Sequence, residues 1–336
     1  MIGLFIATAL TGHAENLGIE YFETFKPGLG LLLAANAIFA IILLISRSWY
    51  AIIPIITLAL SYHSLPSYIQ LRNSPPEASS DATVVCLQSF NVHQCKTDKK
   101  RNTIDHILHI ALRNKVQILC MQEFQPRNEA RPYKDYFPYC CHTDSITRTG
   151  VAIYSAYPIV AHRSILFPQV EQASAVIADI DIEGHIVRVI SAHLQTTGIT
   201  SNRREIAKLK DSSLMTREAG ESISKLEDLL VGNSLLRHQQ ADILADEVAQ
   251  SPFPVILCGD FNETPTSYSN RIFSSLLTDA FQSAGSGIAY SFASPLLLIR
   301  LDYIFHSKEI IPHEFYYQSD ICSDHRASFL RMTIEQ

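Results

Sequence analysis

Polar side chains follow or end several apolar, strand-like runs in this 336-residue chain. Strand ends are positions where side chains from distant segments converge on one pocket. Carboxylates, amides and imidazoles gathered there suit metal-assisted phosphoester hydrolysis, because they hold a hard cation, contact phosphoryl oxygens and move protons. The candidate residues are Asn91, Glu123, His193, Asp260, Asn262, Asp302, Asp324 and His325.

Each candidate taken singly also has a purely structural explanation. Asn91 is compatible with a turn residue, Glu123 with a surface acid and Asp302 with a helix cap or an ion-pair partner. A lone histidine such as His193 is more often a hydrogen-bonded core residue than a catalyst. The combination of acids, histidines and asparagines near strand ends is what favours the chemical explanation.

Short β-rich runs alternate with helical patterns from about residue 81 onward. Helices are predicted over 103–114 and 235–250, and 200–231 is predicted as a charged, helical-looking surface insertion. This mixture over 83–336 predicts one α/β domain of stacked sheets covered by helices. The predicted strands are 83–87, 116–121, 151–154, 175–182, 186–194, 255–258, 301–305 and 328–334.

The candidates lie in short motifs that follow one another along nearly the whole domain. GDFN and SDH are highly specific in combination, whereas MQE and SAH alone are weak. With these motifs the domain resembles the endonuclease/exonuclease/phosphatase superfamily, which includes pancreatic deoxyribonuclease, abasic-site endonucleases, neutral sphingomyelinases and inositol polyphosphate phosphatases. The resemblance implies a four-layer αββα sandwich, an α/β (α+β) fold, and a divalent metal, most often Mg²⁺. The motifs are SFNVHQ, MQEF, GVAIYSAYPIV, SAHLQTT, GDFN, RLDYIF and SDH.

The resemblance also implies a set of metal ligands. Glu123 supplies an oxygen ligand to Mg²⁺, with Asn91 nearby and Asp324 as a second carboxylate. Mn²⁺ is an alternative ion. His193 and His325 are weaker candidates for ligands because Mg²⁺ prefers oxygen.

Catalytic roles follow from the same resemblance. It implies that Asp260 orients or deprotonates the attacking water, while Asn262 donates to a phosphoryl oxygen. His325 would contact the phosphate or pass a proton, and Asp302 would hold its ring in the useful tautomer. His193 would act from the other side, on the leaving group or the phosphate. Asn262 and His193 are therefore also predicted to bind substrate.

One position departs from the pattern of the abasic-site endonucleases. Those enzymes carry an acidic or amide residue two positions after the motif asparagine, where this chain has His93. The departure weakens the repair-endonuclease interpretation. It also suggests fewer protein ligands for the metal.

Residues 1–72 are predicted to form a membrane anchor. Uncharged runs cover 27–46 and 48–71, and about 20 apolar residues span a bilayer as a helix. Two to three transmembrane helices are expected, since the uncharged segment 1–12 is too short to span alone and is compatible either with the end of a first helix or with a poor signal sequence. A buried hairpin in a large protein is the alternative. The leader and the domain together resemble membrane-anchored bacterial members of the superfamily.

The few charges of the leader predict its orientation. Arg47 lies in the turn 46–48, whereas the preceding loop carries three glutamates against Lys26. The positive-inside rule then places the turn in the cytoplasm and the domain outside, although Arg72 opposes this assignment. We therefore expect an integral protein of the bacterial inner membrane with a periplasmic domain. The Pro- and Ser-rich segment 73–82 is predicted as a linker.

Composition excludes some classes of protein. With 47% hydrophobic and 18% charged residues the chain is neither disordered nor fibrous. A net charge of −6 argues against undirected coating of nucleic acid. Of seven cysteines, Cys86, Cys120 and Cys258 lie in apolar runs and are predicted to be buried. The remaining four leave a disulfide open, and no zinc-ligand spacing occurs.

Three functions are compatible with these features. The first is a membrane-tethered, Mg²⁺-dependent phosphodiesterase or nuclease. The second is a phosphatase or sphingomyelinase-like phospholipase that acts on a lipid-linked phosphoester. The third, a non-catalytic binding module, is disfavoured because the core motif residues are all present. The expected partners are the lipid bilayer and a phosphoester substrate, either nucleic acid or phospholipid, and no protein partner is inferred.

Overall fold

A computed structural model of the chain divides it into two compact units. The first comprises residues 1–63 and 195–241, and the second comprises 64–194 and 242–336. The predicted domain boundaries at residues 72 and 82 stay a prediction. The residues that the structure describes are 8, 29–60, 62–71, 75–78, 83–93, 103–125, 135–143, 149–168, 173–198, 217–294, 297–318 and 323–335.

Short helices cover the described part of the apolar leader. Helix α1 (Leu29–Ile45) contacts α2 (Ile52–Leu60), and a 3-10 helix, Trp49–Ala51, lies between them. The chain reverses at Arg47, which has a φ of 53°. The predicted turn over 46–48 is therefore confirmed.

The predicted second membrane span, 48–71, does not form one helix. It is divided among Trp49–Ala51, the nine-residue α2 and a second 3-10 helix, Tyr62–Ser67, which contains Pro66. Proline has no N–H to donate and disfavours a continuing α-helix. Among the described residues, no helix combines the length and the apolar character that crossing a bilayer requires.

The remaining elements are numbered in chain order. The helices are α3 (Thr103–Arg113), α4 (Arg217–Ala249), α5 (Tyr268–Leu276) and α6 (Ala280–Ala284). The strands are β1 (Ile69–Gln70), β2 (Val85–Asn91), β3 (Ile118–Phe124), β4 (Tyr139–His142), β5 (Gly150–Ser155), β6 (Ile159–Leu166), β7 (Ser174–Ile182), β8 (His185–His193), β9 (Val255–Asp260), β10 (Thr278–Asp279), β11 (Gly287–Ile288), β12 (Phe292–Ser294), β13 (Leu297–Ile299), β14 (Asp302–His306), β15 (Ile310–Gln318) and β16 (Ala327–Ile334).

Two six-stranded sheets dominate the second unit. Sheet A has the order β15-β16-β2-β3-β5-β4, and sheet B has the order β10-β14-β9-β8-β7-β6. Each sheet contains one parallel pair, β2 with β3 and β8 with β9, and its other pairs are antiparallel. A parallel pair needs a crossover connection, and α3 and α4 lie in these two connections. Two small hairpin sheets pair β1 with β11 and β12 with β13.

Alternate residues of sheet A face two different apolar layers. Val85 and Leu87 of β2 lie in the core between the two sheets, together with residues of sheet B. Cys86 and Phe90 point the other way and pack with Ile107 of α3. This period of two is the strand pattern that buries both faces of a sheet.

Sheet B is covered in the same manner. Ile304 of β14 lies in the core between the sheets. Its neighbour Phe305 points outward and packs against Phe273 of α5, with ring centroids 6.0 Å apart. The predicted mixed α/β sandwich is therefore confirmed, with helix, sheet, sheet and helix following one another in this unit.

All eight predicted strands and both predicted helices are present. The sequence patterns missed strands at the sheet edges, of which β15 and β6 are examples. β15 carries Pro312 beside a register shift, and much of β6 is exposed. Edge strands tolerate proline and polar residues because one side of their backbone stays unpaired, so their apolar pattern is weak. Of the predicted insertion 200–231, residues 200–216 lie outside the described residues and 217–231 belong to α4.

The three cysteines predicted to be core residues are buried. Cys141 is also buried and is a free thiol, whereas Cys140 is exposed. The other two cysteines of the open disulfide question, Cys95 and Cys322, lie outside the described residues.

Candidate active site

Three neighbouring strands of sheet B carry a row of polar side chains. In the parallel pair β8–β9, His193 lies opposite Asp260, and in the antiparallel pair β9–β14, Asp302 lies opposite Asp260. Directly opposed residues point to the same face of a sheet. This row continues the face that Cys258 and Ile304 present to the core between the sheets. All three polar side chains are buried at the rim of that core.

Sheet A supplies Asn91 and Glu123 to the same rim. Strand alternation alone would point Glu123 away from the other sheet, because Cys120 faces it. A register shift between Met121 and Phe124 and a φ of 51° at Glu123 interrupt the alternation. Bulges of this kind re-aim side chains beside active sites. As a result, Asn91 Nδ2 donates a hydrogen bond to Glu123 Oε1 at 3.3 Å.

A loop before β16 adds His325. Ser323 Oγ donates to the carbonyl of Asn91 at 2.7 Å and accepts from the backbone N–H of His325 at 3.1 Å. His325 Nδ1 lies 2.8 Å from Asp302 Oδ2. An ionised carboxylate only accepts hydrogen bonds, so this contact makes Nδ1 the donor and leaves Nε2 facing the site.

Asp260 lies at the centre of the arrangement. Its Oδ2 accepts from Asn91 Nδ2 at 2.9 Å and lies 3.6 Å from His325 Nε2 and 3.8 Å from His193 Nε2. Its Oδ1 accepts the backbone N–H of Asn262 at 2.9 Å. Four of the five predicted catalytic side chains therefore lie together, namely those of His193, Asp260, Asp302 and His325. The fifth residue, Asn262, is joined to Asp260 through its backbone N–H.

The GDFN motif has backbone requirements of its own. Gly259 has a φ of 141°, and a Cβ there would lie 1.9 Å from the carbonyl oxygen of Ala192. Only glycine fits such a close approach of two backbones. Asn262 has a φ of 52°, and its Nδ2 donates to the carbonyl of Leu194 at 3.1 Å. One amide hydrogen of Asn262 is thus used within the protein, and the second has no partner among the residues that the structure describes.

Burial and charge set the protonation of this cluster. Burial by itself would lower the pKa of His325, but the carboxylates of Asp302 and Asp260 outweigh it and raise the pKa to about 10. Burial raises the pKa of Asp260, and His325 opposes that shift. His325 is therefore an imidazolium at neutral pH, and Asp260 holds a proton more readily than an exposed aspartate.

Five residues form what we term the buried half of the site, and three others form its open half. In the open half, His93 Nδ1 lies 3.4 Å from Asp324 Oδ1 and 3.9 Å from Glu123 Oε2. The side chains of His93 and Asp324 are each 42% exposed, and that of Glu123 is 19% exposed. The buried half is Asn91, His193, Asp260, Asp302 and His325, and the open half is His93, Glu123 and Asp324.

Unusual backbone conformations concentrate here. His93, Glu123 and Asn262 all have a φ between 44° and 52°. Non-glycine residues rarely adopt this left-handed region, and such strain is typical of functional sites.

The donor set of the site fits a divalent metal. Among the described residues, Asp260, Asp302 and His325 offer ligand atoms within 4.8 Å of one another and could hold an ion. A protonated histidine cannot ligate, however, and His325 already binds Asp302. The more accessible carboxylates of Glu123 and Asp324 offer the oxygen ligands that hard cations prefer. The predicted ligand Asn91 uses Nδ2 as a donor, while its Oδ1 accepts from the N–H of His93; its role as a ligand stays a prediction.

Several residues that complete the site were not predicted. Ser291 Oγ accepts the backbone N–H groups of Leu301 and Asp302, each at 2.9 Å. Ser323 fastens the His325 loop, and His93 lies between the two open carboxylates. Ser323 belongs to the SDH motif and could have been found there. Ser291 carries no local signal, because its partners are ten and eleven residues away in sequence.

A double sheet with buried acids and imidazoles at one rim has the groups that metal-assisted hydrolysis of phosphoester bonds requires. The chain belongs to the Endonuclease/Exonuclease/phosphatase family, whose profile matches residues 89–325. Members of this family are phosphoesterases that use divalent metal ions, and this chain is a hydrolase of that family. No curated protein sequence matches this chain.

Solved structures share the fold at low sequence identity. Truncated Caenorhabditis elegans TDP2 is 19% identical, with 74% of this chain and 97% of that chain covered and a TM-score of 0.54. An endonuclease/exonuclease/phosphatase from Beutenbergia cavernae is 16% identical, covering 75% and 72%, with a TM-score of 0.56. D. rerio TDP2, complexed with single strand DNA product, is 14% identical, covering 75% and 99%, with a TM-score of 0.53.

Proposed function

We propose that this chain is a membrane-anchored, divalent-metal-dependent phosphodiesterase of the nuclease type. The observation that carries the proposal is the contact of Asp260 with Asn91, His193 and His325 at one rim of the double sheet. A carboxylate of raised pKa beside an imidazolium combines a proton acceptor with a proton donor. The solved complex of D. rerio TDP2 with a single strand DNA product supports nucleic acid as the first substrate to test.

The proposed reaction uses Asp260 as the base. Asp260 accepts a proton from water as the water oxygen bonds to phosphorus, and the bond from phosphorus to the leaving oxygen breaks. His325 donates the proton of Nε2 to the leaving oxygen. Asp260 Oδ2 and His325 Nε2 are 3.6 Å apart, which is too long for a direct hydrogen bond, so the proton then returns from Asp260 to His325 through one water molecule, which restores both groups.

The other polar groups bind the substrate. His193 Nε2 is buried and has no hydrogen-bond partner among the described residues, so it is proposed to contact a phosphoryl oxygen. The second amide hydrogen of Asn262 takes the same role. Asn91 holds Asp260 in place through the 2.9 Å hydrogen bond from Nδ2.

Mg²⁺, or Mn²⁺ in its place, is the proposed metal. Glu123 and Asp324 would hold it, with His93 and Asn91 beside them. When bound, the cation supplies positive charge that offsets the charge developing on the phosphate.

The leader is proposed to anchor the chain to a lipid bilayer. Its described helices expose large apolar side chains, and these need an apolar environment. The few charges of the leader support a location in the bacterial inner membrane with the hydrolase on the periplasmic side. Carbonate extraction of membranes tests the anchor, and release of the chain into the supernatant would contradict it. The exposed residues include Ile38, Ile41, Ile42, Leu44, Ile45, Trp49, Ile52, Ile56 and Leu60.

A second function is a sphingomyelinase-like phospholipase or a phosphatase acting on a lipid-linked phosphoester. The observation that favours it is the same apolar leader, because tethering raises the effective concentration of substrates at the membrane surface.

A substrate panel on the full chain in detergent decides between these functions. Bis(p-nitrophenyl) phosphate, plasmid DNA, RNA, phospholipid vesicles and p-nitrophenyl phosphate are each offered with Mg²⁺. Faster turnover of DNA or RNA supports the nuclease, and faster turnover of phospholipid supports the alternative. A purified chain that hydrolyses only the monoester would contradict the phosphodiesterase.

A further inference from the structure

A buried arginine lies two residues before Asp302. The side chain of Arg300 is fully buried and makes two hydrogen bonds to Asp279, from Nη1 at 2.7 Å and from Nη2 at 2.6 Å. Its charge also lies over the ring of Tyr303, with the guanidinium carbon 4.3 Å from the centroid. Burying a guanidinium costs free energy unless its N–H groups have hydrogen-bond acceptors. The partners of Arg300 therefore hold its side chain in one position.

Two further donors of Arg300 reach outside this ion pair. Nη1 donates to the carbonyl of Ser67 at 3.1 Å, and Nε donates to the hydroxyl of Tyr317 at 2.8 Å. The hydroxyl of Tyr317 in turn donates to the backbone carbonyl of Asp302 at 2.8 Å. A chain of hydrogen bonds therefore runs from the guanidinium of Arg300 to the backbone of Asp302.

Asp302 begins β14, and side chains supplement the strand pairing that holds it. Register to β9 fixes one side of the residue, with Asp302 opposite Asp260. Ser291 accepts the N–H of Asp302, and Tyr317 donates to its C=O. Both backbone polar groups are thus held by side chains. The Oδ2 of the same residue then lies 2.8 Å from His325 Nδ1.

We propose that Arg300 and Tyr317 are positioning residues, which hold the backbone of Asp302 so that its carboxylate orients His325. This inference rests on the proposed function for its catalytic consequence. In this proposal both side chains act through Asp302. The contact with Ser67 also joins the last part of the apolar leader to the residues just before β14.

The neighbouring tyrosine supplies a matched control. Tyr316 precedes Tyr317 on β15, and its hydroxyl donates to Asn114 Oδ1 at 2.8 Å, without a contact to Asp302. Tyr317→Phe and Tyr316→Phe each remove one hydroxyl and one donated hydrogen bond from the same strand, and Tyr317→Phe in addition removes the acceptor of Arg300 Nε, so it interrupts the proposed chain at both of its links. A difference between them in catalysis therefore reports on what the hydroxyl of Tyr317 holds.

Turnover of bis(p-nitrophenyl) phosphate with Mg²⁺ is measured for the full-length variants. We expect Tyr317→Phe to lower kcat about tenfold while KM changes less than twofold, since one oriented hydrogen bond contributes roughly that factor. Tyr316→Phe keeps both constants. Arg300→Lys, with its fold checked by circular dichroism, is expected to lower kcat at least as much as Tyr317→Phe. Equal kcat values for the two phenylalanine variants would overturn the proposal.

A second readout needs neither metal nor substrate. In EDTA, the Nδ1 proton of His325 that bonds to Asp302 gives a downfield proton NMR signal, assigned by its loss in His325→Gln. We expect this signal to shift or broaden in Tyr317→Phe and to stay unchanged in Tyr316→Phe. If the wild-type chain hydrolyses no phosphodiester, the proposed function fails, and the NMR comparison still decides the positioning role. An identical signal in Tyr317→Phe and wild type would refute that role.

Discussion

The buried half and the open half of the site are held in place by different means. In the buried half, cross-strand register and direct hydrogen bonds join the groups, such as the 2.8 Å contact of His325 with Asp302 and the 2.9 Å bond from Asn91 to Asp260. In the open half, His93 lies 3.4 Å from Asp324 and 3.9 Å from Glu123, and these three side chains are more accessible than those of the buried half. The fold therefore preorganises the buried half, whereas the carboxylates of the open half suit a cation as their partner.

Changing the base of the buried half should have the largest effect. Asp260→Asn keeps the shape and removes the proton acceptor, and we expect kcat to fall by about 10³-fold on bis(p-nitrophenyl) phosphate. His325→Gln should be similarly inactive. Circular dichroism melting checks that both variants stay folded. A folded Asp260→Asn variant with turnover close to wild type would remove the assigned mechanism.

The next largest effect should come from the backbone under the buried half. Gly259→Ala places a Cβ 1.9 Å from the carbonyl of Ala192, and we expect a loss of about 3 kcal/mol in the free energy of unfolding. Gly184→Ala is the control, because Gly184 also has a positive φ of 92° but no atom within 4 Å of the added Cβ. Urea denaturation measures both. Equal losses would mean that the close approach to Ala192 is unimportant.

Substitutions in the open half should change the metal concentration that activity requires rather than kcat. EDTA is expected to abolish turnover, and Mg²⁺ or Mn²⁺ to restore it. Glu123→Gln should raise the Mg²⁺ concentration for half-maximal activity by on the order of 10- to 100-fold, with activity recovering at high Mg²⁺. Asp260→Asn should not recover in this way. Full activity of the wild type in EDTA would show that no metal is needed.

The smallest expected effect is a difference in pH dependence between the stability contributions of two buried histidines. Carboxylates raise the pKa of His325 to about 10, whereas burial lowers the pKa of His306, at the far end of β14 from Asp302. An unfolded histidine has a pKa of about 6.5. The stability from His325 is therefore full below about 6.5 and is lost as the pH rises through about 10, whereas that from His306 is full above about 6.5 and is lost as the pH falls.

Thermal melting in EDTA measures this contrast against His325→Gln and His306→Gln. The advantage of wild type over His325→Gln should shrink from pH 7 to pH 10, and its advantage over His306→Gln should shrink from pH 7 to pH 5. If both differences in melting temperature from wild type changed in the same direction with pH, the pKa directions assigned to His325 and His306 would be contradicted.

Much of the catalytic inventory is already determined by the sequence. The apolar runs predict the central strands, and the motifs place Asn91, His193, Asp260 and Asp302 at or next to strand ends. Local pattern suffices for these elements because buried central strands carry an unbroken apolar signal. The roles assigned to the individual residues stay predictions until the variants are measured.

Only the tertiary structure decides how these groups meet. The row of His193, Asp260 and Asp302 depends on the register of three strands, and the aim of Glu123 depends on a bulge that strand alternation does not predict. The charge on His325 arises from carboxylates distant in sequence, which no local pattern encodes. In the leader, uncharged length suggested a second span, but the described chain divides that run into short helices. Register, bulges and burial are non-local, and they set the geometry on which this chemistry depends.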